Sequence, residues 1–254
     1  MASKKAASGK HAPKLSAATS APVVQPTAAP LDIFAVLDAN ALLPARLSDV
    51  LMDLSIEGMY EARWSHSIEK EYVRNWSAVN RRLKGKALQA YKATQDYQDD
   101  LTKAGKRINA MRSAIGSEAL LLGEDDPAQL ALVPPKVHKG DKHVAASALI
   151  LERSLVDGAE RLGQCYLVTN NLRHLPVRSM APLGVTVCTP GAFIDLLCQR
   201  DLGAFERALM HTIKSLKAPP MTQSQLLGAL HINGAKGAAQ CMSAHWQCPI
   251  ELKV

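Results

Sequence analysis

A short unbroken apolar run, Ile33-Phe34-Ala35-Val36-Leu37, stops abruptly at Asp38 and constrains the fold more than any other feature. A run with no polar face predicts a strand covered on both sides, as in a parallel sheet between helix layers. Two later segments repeat the pattern. Gln164 to Thr169 ends in Asn170-Asn171, and Gly184 to Cys188 ends just before Pro190. Between these strands the apolar spacing is helical. Pro44 opens a helix to about Ile56, with Leu47, Val50, Leu51 and Leu54 on one face. A second helix starts after Ser65 or Ser67 and runs through Trp76. Residues 80–115 read as one or two cationic helices, and Glu124-Asp125-Asp126-Pro127 marks a break. Asp141 to about Arg153 is an Ala-rich, largely buried helix. Strands alternating with helices imply an α/β fold with right-handed crossovers.

Residues 1–30 are Ala, Ser, Lys, Pro and Thr without apolar periodicity, which predicts a disordered basic tail. The folded domain is expected over 31–200. Residues 201–254 read as an extension, helical to about 232 and irregular beyond, where Gly234 and Gly237 fall. The net charge is +7, and Lys4, Lys5, Lys10 and Lys14 all precede the first acid, Asp32. A cationic arm on a mildly basic body steers a protein toward polyanions, nucleic acid first. The odd count of 5 Cys suits reduced thiols better than a disulfide framework. No apolar run approaches the roughly 18 residues that span a bilayer, and the N-terminus lacks a signal-peptide core. The expectation is a cytoplasmic protein without membrane contact. Phosphate-cradling Gly motifs and a Gly-x-Ser-x-Gly elbow are missing from the sequence. Cys241, His245 and Cys248 have a spacing unlike common zinc fingers.

In an open parallel sheet, ligands bind beyond the carboxyl ends of the strands. Asp38 follows the first strand, and Thr169, Asn170 and Asn171 follow the second. Asp141 starts a helix that can face the same edge, and Glu69 and Glu71 lie early in a helix returning from it. Converging carboxylates repel one another, and a hard divalent cation with a preference for oxygen relieves the repulsion. Such an ion, Mg²⁺ above all, suits hydrolysis of a phosphodiester. Each residue also has a plain reading: Asp38 as a turn former, Asp141 as a helix cap, either Glu as a solvated helix residue.

These stretches resemble PIN-domain proteins, in particular the toxin branch of bacterial toxin–antitoxin ribonucleases. Val36-Leu37-Asp38-Ala39-Asn40 through Pro44-Ala45-Arg46-Leu47-Ser48-Asp49 is similar to the family's opening strand and first helix. Ile68-Glu69-Lys70-Glu71-Tyr72-Val73 resembles its second-helix signature, Gly140-Asp141-Lys142-His143-Val144-Ala145-Ala146 its third acidic motif, and Leu167-Val168-Thr169-Asn170-Asn171 its strand-end motif. The resemblance covers most of Phe34 to Leu197. It implies a three-layer α/β/α sandwich around a short parallel sheet, and a Mg²⁺- or Mn²⁺-dependent endoribonuclease. Asp38, Glu71 and Asp141 are then the catalytic, metal-holding acids, with Asn171 completing the shell. Asn40, Thr169 and the reserve candidate Glu69 support them. It also suggests a homodimer and an antitoxin partner. Arg46, Arg74, Lys142 and Arg173 flank the acidic motifs and are the candidates for gripping RNA phosphates. The family often carries an acid at the position of Asn171 or three residues on, where this chain has His174. That departure leaves a catalytically weak or inactive RNA- or protein-binding module as the alternative.

Overall fold

In the computed structural model, which describes residues 32–157, 163–217 and 219–252, the apolar run forms β1 (Asp32–Leu37), with Ile33 through Leu37 all buried. Each large apolar side chain removed from water there contributes roughly 1.5–3 kcal/mol. The chain then turns through α1 (Ala39–Leu42) into α2 (Ala45–Ile56), with Pro44 before its first turn. β2 (Glu61–Ser65) leads directly into α3 (His66–Asn80). The cationic stretch forms α4 (Gly85–Lys92) and α5 (Gln95–Ile115), and Thr94 caps the latter through the Tyr97 amide. A two-residue strand, β3 (Leu120–Leu121), precedes α6 (Pro127–Leu132). A single 3₁₀ turn over Lys139–Asp141 introduces α7 (Lys142–Asp157), followed by β4 (Gly163–Val168). α8 (Val177–Met180), β5 (Val185–Cys188) and α9 (Pro190–Arg200) complete the expected domain.

All strand pairs are parallel, in the order β3-β2-β1-β4-β5. Right-handed crossovers place connections running toward β3 on one face and those running back on the other. α7 packs against β1 and β4, while α2 packs against α10 (Leu202–Ser215). The result is the expected three-layer α/β/α sandwich. Because β1 pairs with β2 on one side and β4 on the other, the chain reverses its direction of travel across the sheet at β1. The crevice beyond the carboxyl ends of β1 and β4 is therefore the topological switch point.

β2 and β3 were not apparent in the sequence. β2 alternates charged and buried residues, and only Ala62, Trp64 and Ser65 reach the interior. β3 is too short to show any period.

The segment beyond residue 200 departs more from expectation. It is helical past 232, with α11 (Gln223–Ile232) followed by α12 (Lys236–Trp246) where an irregular tail was expected. Its residues Leu226, Leu227, Leu230, Ala238 and Met242 belong to the same buried core as β1. Asp53 on α2 ties it down, accepting from Thr212 Oγ1 at 2.5 Å and meeting His211 Nδ1 at 2.8 Å. The first turn of α12 is capped from a distance, by Asp195 Oδ1 on α9, 2.7 Å from the Ala238 amide. Gly191 is required where α9 meets the turn between α11 and α12, since a Cβ there would lie 2.3 Å from the Gly234 carbonyl carbon. The tail expected over residues 1–30 lies outside the described residues.

Candidate metal centre

Asp38 is the first residue past β1, and its amide extends the β1–β4 ladder by donating to Val168 O at 3.1 Å. The residue is 1% exposed. Oδ2 accepts from Thr169 Oγ1 at 2.7 Å and from Asn40 Nδ2. Asn40 in turn joins the two strand ends. Its Oδ1 accepts from the Asn170 amide at 2.7 Å, and its Nδ2 lies 3.1 Å from Thr169 Oγ1. The Asn171 amide donates to the same Thr169 hydroxyl at 2.9 Å. Asn40 and Thr169 thus fix the Asp38 carboxylate in one orientation.

Burial pushes the Asp38 carboxyl up to about 6. The Thr169 hydrogen bond opposes the rise, while the charges of Glu71 and Asp141 add to it. Both acids therefore share one electrostatic neighbourhood with Asp38. Glu71 projects from α3 and meets His143 Nε2 from α7 at 3.4 Å, an ion-pair contact longer than a good hydrogen bond. Burial works against a charge on His143, but Glu71, with Asp38 and Asp125 behind it, outweighs burial and raises its pKa.

Asp141 closes the 3₁₀ turn before α7. Its Oδ1 accepts from Asn171 Nδ2 at 3.0 Å, and its Oδ2 lies 3.2 Å from Nδ1 of both His138 and His174. Its carboxylate faces other loops, so its role is not confined to a helix cap. Asn171 presents its amide nitrogen to Asp141, where a metal ligand would present the carbonyl oxygen, so it orients the acid.

Glu69 is not part of this site. Two residues from Glu71, it lies about 200° around the helix. Its carboxylate takes the Trp64 indole N–H at 3.0 Å and Arg112 Nη1 at 3.2 Å, with His66 at 3.4 Å. Among the expected phosphate contacts, exposed Arg74 lines an open cleft of about 370 Å³ with Glu71, His143, Lys70 and Asp125. Lys142 and Arg173 are next to Asp141 and His174 in the chain, and Arg173 is exposed. Arg46 is turned to Asp49 on its own helix, at 3.9 Å.

Sequence reasoning did not single out Lys70, His138 or Asp125. Asp125 and its neighbour Glu124 lie in the acidic break and close on α3 from across the fold. Ser67 donates from its amide to Glu124 at 2.9 Å and from its hydroxyl to Asp125 at 2.8 Å. The acidic run itself was the available signal. His245 is bound to Glu206 at 3.0 Å, and no metal-binding group forms around Cys241, His245 and Cys248 among the described residues.

Comparison with protein-family models, curated proteins and solved structures finds no match to the chain. What the coordinates define is a class: a parallel-sheet α/β protein with an acidic, partly cationic-rimmed crevice at the switch point of the sheet. Among the described residues, no helix is long and apolar enough to cross a membrane.

Proposed function

We propose that this chain is a Mg²⁺- or Mn²⁺-dependent endoribonuclease of the PIN kind, acting in the cytoplasm as the toxin of a toxin–antitoxin pair. The observation that carries the reading is the buried Asp38 carboxylate at the switch point, with the charges of Glu71 and Asp141 bearing on it. An all-carboxylate oxygen set suits a hard divalent ion, so Asp38, Glu71 and Asp141 would hold it. Bound there, an ion would offset their repulsion and would supply charge stabilisation to a phosphodiester.

The protein's own groups supply the rest. Asn40 and Thr169 hold Asp38 in position, Asn171 holds Asp141, and His143 steadies Glu71. Lys70 and Arg74 on the cleft rim would bind backbone phosphates, and single-stranded RNA, whose phosphates and bases splay freely, fits an open cleft better than a duplex. A homodimer and an antitoxin that covers the crevice belong to this reading. The test is cleavage of single-stranded RNA with Mn²⁺, with single-stranded and duplex DNA alongside. Wild type should cleave RNA, and Asp38→Asn and Glu71→Gln should not. Cleavage indifferent to both substitutions would sink the proposal.

A second reading rests on Asn171, whose amide occupies a place where related motifs often put an acid. With three carboxylates only, the domain would bind RNA or protein without cutting it. RNA binding that persists in EDTA, with no Mn²⁺-dependent cleavage, would select it.

A further inference from the structure

We propose that His138, His174 and Asp141 form a binding site for a borderline transition-metal ion, of which Zn²⁺ is the type, reached through Oδ2 of Asp141. This site does not depend on the nuclease reading, although it shares Asp141 with the acidic centre.

Three ligand atoms converge, one each from His138, His174 and Asp141, all within 4.8 Å of one another, and Nδ1 of each histidine faces Oδ2 of Asp141. Both nitrogens are 3.2 Å from the carboxylate oxygen. In a tetrahedron with metal–ligand bonds of 2.0–2.1 Å, the vertices lie roughly 3.3–3.4 Å apart. Two edges of the triangle therefore already have metal-site length, and a modest ring rotation closes the third.

The backbone holds these groups together without help from an ion. The His138 amide donates to His174 O at 3.0 Å, and the Asp141 amide to His138 O at 2.9 Å. Val137 and Leu175, the neighbours of the two histidines, are buried and anchor both loops in the core. The imidazoles stack with centroids 4.4 Å apart and planes 25° from parallel, so both present the same ring edge to Asp141.

Hydrogen bonds already engage all three side chains, and an ion would have to replace some of them. The Gly140 amide is directed at Nδ1 of His138 at 3.2 Å, and Asn171 Nδ2 lies 3.1 Å from Nδ1 of His174. A ring nitrogen has one in-plane lone pair, so an ion bound there would displace the Gly140 and Asn171 contacts. An ion between the three ligand atoms would also replace the 3.2 Å hydrogen bond between His138 Nδ1 and Asp141 Oδ2. Two imidazoles select a borderline ion over Mg²⁺. Asn171 stays on Oδ1 of Asp141 and fixes the carboxylate, as partners of metal ligands do. The side chains of His138 and His174 are 50% and 40% exposed, which gives an ion an entry path and leaves a further position for water.

The experiment titrates the metal-free full-length chain with Co²⁺, whose visible d–d absorption reports nitrogen and oxygen ligation, and then displaces it with Zn²⁺. Wild type should bind one Co²⁺ with such a band and lose it to one equivalent of Zn²⁺. His138→Ala and His174→Ala should each weaken binding by more than about 100-fold, beyond the roughly 10–100-fold cost of removing a mere partner of a ligand. Asp38→Asn should keep the band. Circular dichroism confirms that each variant is folded. A band lost in Asp38→Asn but kept in both histidine variants would put the ion among the acids and overturn this inference while leaving the nuclease reading intact. An absence of any band, with the histidines contributing only to melting temperature, would make the cluster a hydrogen-bonded latch and also overturn it.

Discussion

Replacing Asp38 with Asn should stabilise the metal-free protein, although it removes a proposed catalytic group. The folded-state value of about 6 lies above the ordinary 3.8, so the ionised form is the one folding disfavours. The cost is small near pH 4, grows between pH 4 and 6, and is full above pH 7. At about 1.4 kcal/mol for each pH unit, it reaches about 3 kcal/mol. Asn keeps an oxygen to accept from Thr169 and Asn40 but carries no charge, so it avoids most of this cost. For a chain of this size that corresponds to roughly 6–12 °C in melting temperature. The assay is thermal unfolding in EDTA at pH 7.5 and pH 4.5, followed by circular dichroism. The variant should melt higher at pH 7.5, and the gap should shrink to about a third at pH 4.5. After removal of EDTA, Mn²⁺ should then raise the wild type more than the variant. A variant less stable than wild type at pH 7.5, or a gap of equal size at both pH values, would refute the electrostatic account of Asp38.

Thr169→Val keeps the shape of the side chain but strands the Asn171 amide and one acceptor site on Asp38. It should cost about 1–3 kcal/mol in urea unfolding. Gly191→Ala drives a Cβ into the Gly234 backbone, and urea unfolding should again show a loss of about 1–3 kcal/mol, mostly as faster unfolding. Asp100 provides a pH test away from the site. The Arg81 hydrogen bonds, at 2.5 and 2.9 Å, hold its carboxyl well below the usual carboxylate range despite desolvation, with Tyr91 helping at 2.7 Å. Its contribution is full above about pH 5 and is lost as pH falls through 4 and below. Comparing melting curves of wild type and Asp100→Asn, the difference should vanish at low pH, and a constant difference would refute the pairing.

The central strand and the switch-point residues were legible because their signals are local. Five apolar residues ending in an acid can hardly be anything but a buried strand and its exit. Thr169, Asn170 and Asn171 were visible at the exit of β4 for the same reason. The choice of Glu71 over Glu69 came from the resemblance and not from the local pattern, because helical geometry guarantees that only one faces the crevice without saying which. That depends on Trp64 and Arg112 drawing Glu69 away. His138 escaped notice because its nearness to His174 rests on one backbone hydrogen bond between loops 36 residues apart in number. α12 was hidden because its first turn contains Gly237 and borrows its cap from Asp195, a contact no local pattern encodes. β2 presents Glu61 and Arg63 on alternate positions, and only the packing of Trp64 reveals it as interior.

The placement of β1 at the middle of the sheet has a consequence for how the chain assembles. Its hydrogen-bonding groups on one side find β2 within thirty residues, but those on the other wait for β4, and the bond from Thr169 to Asp38 spans 131 positions. Until residues 163–168 are available, a strand with five consecutive apolar residues stands as an open edge, the arrangement most prone to self-association. Closing that long loop is a slow entropic step. Fragments ending before β4 should therefore aggregate, and the acidic crevice can come into being only in the last stage of folding, so partly made chains carry no assembled site.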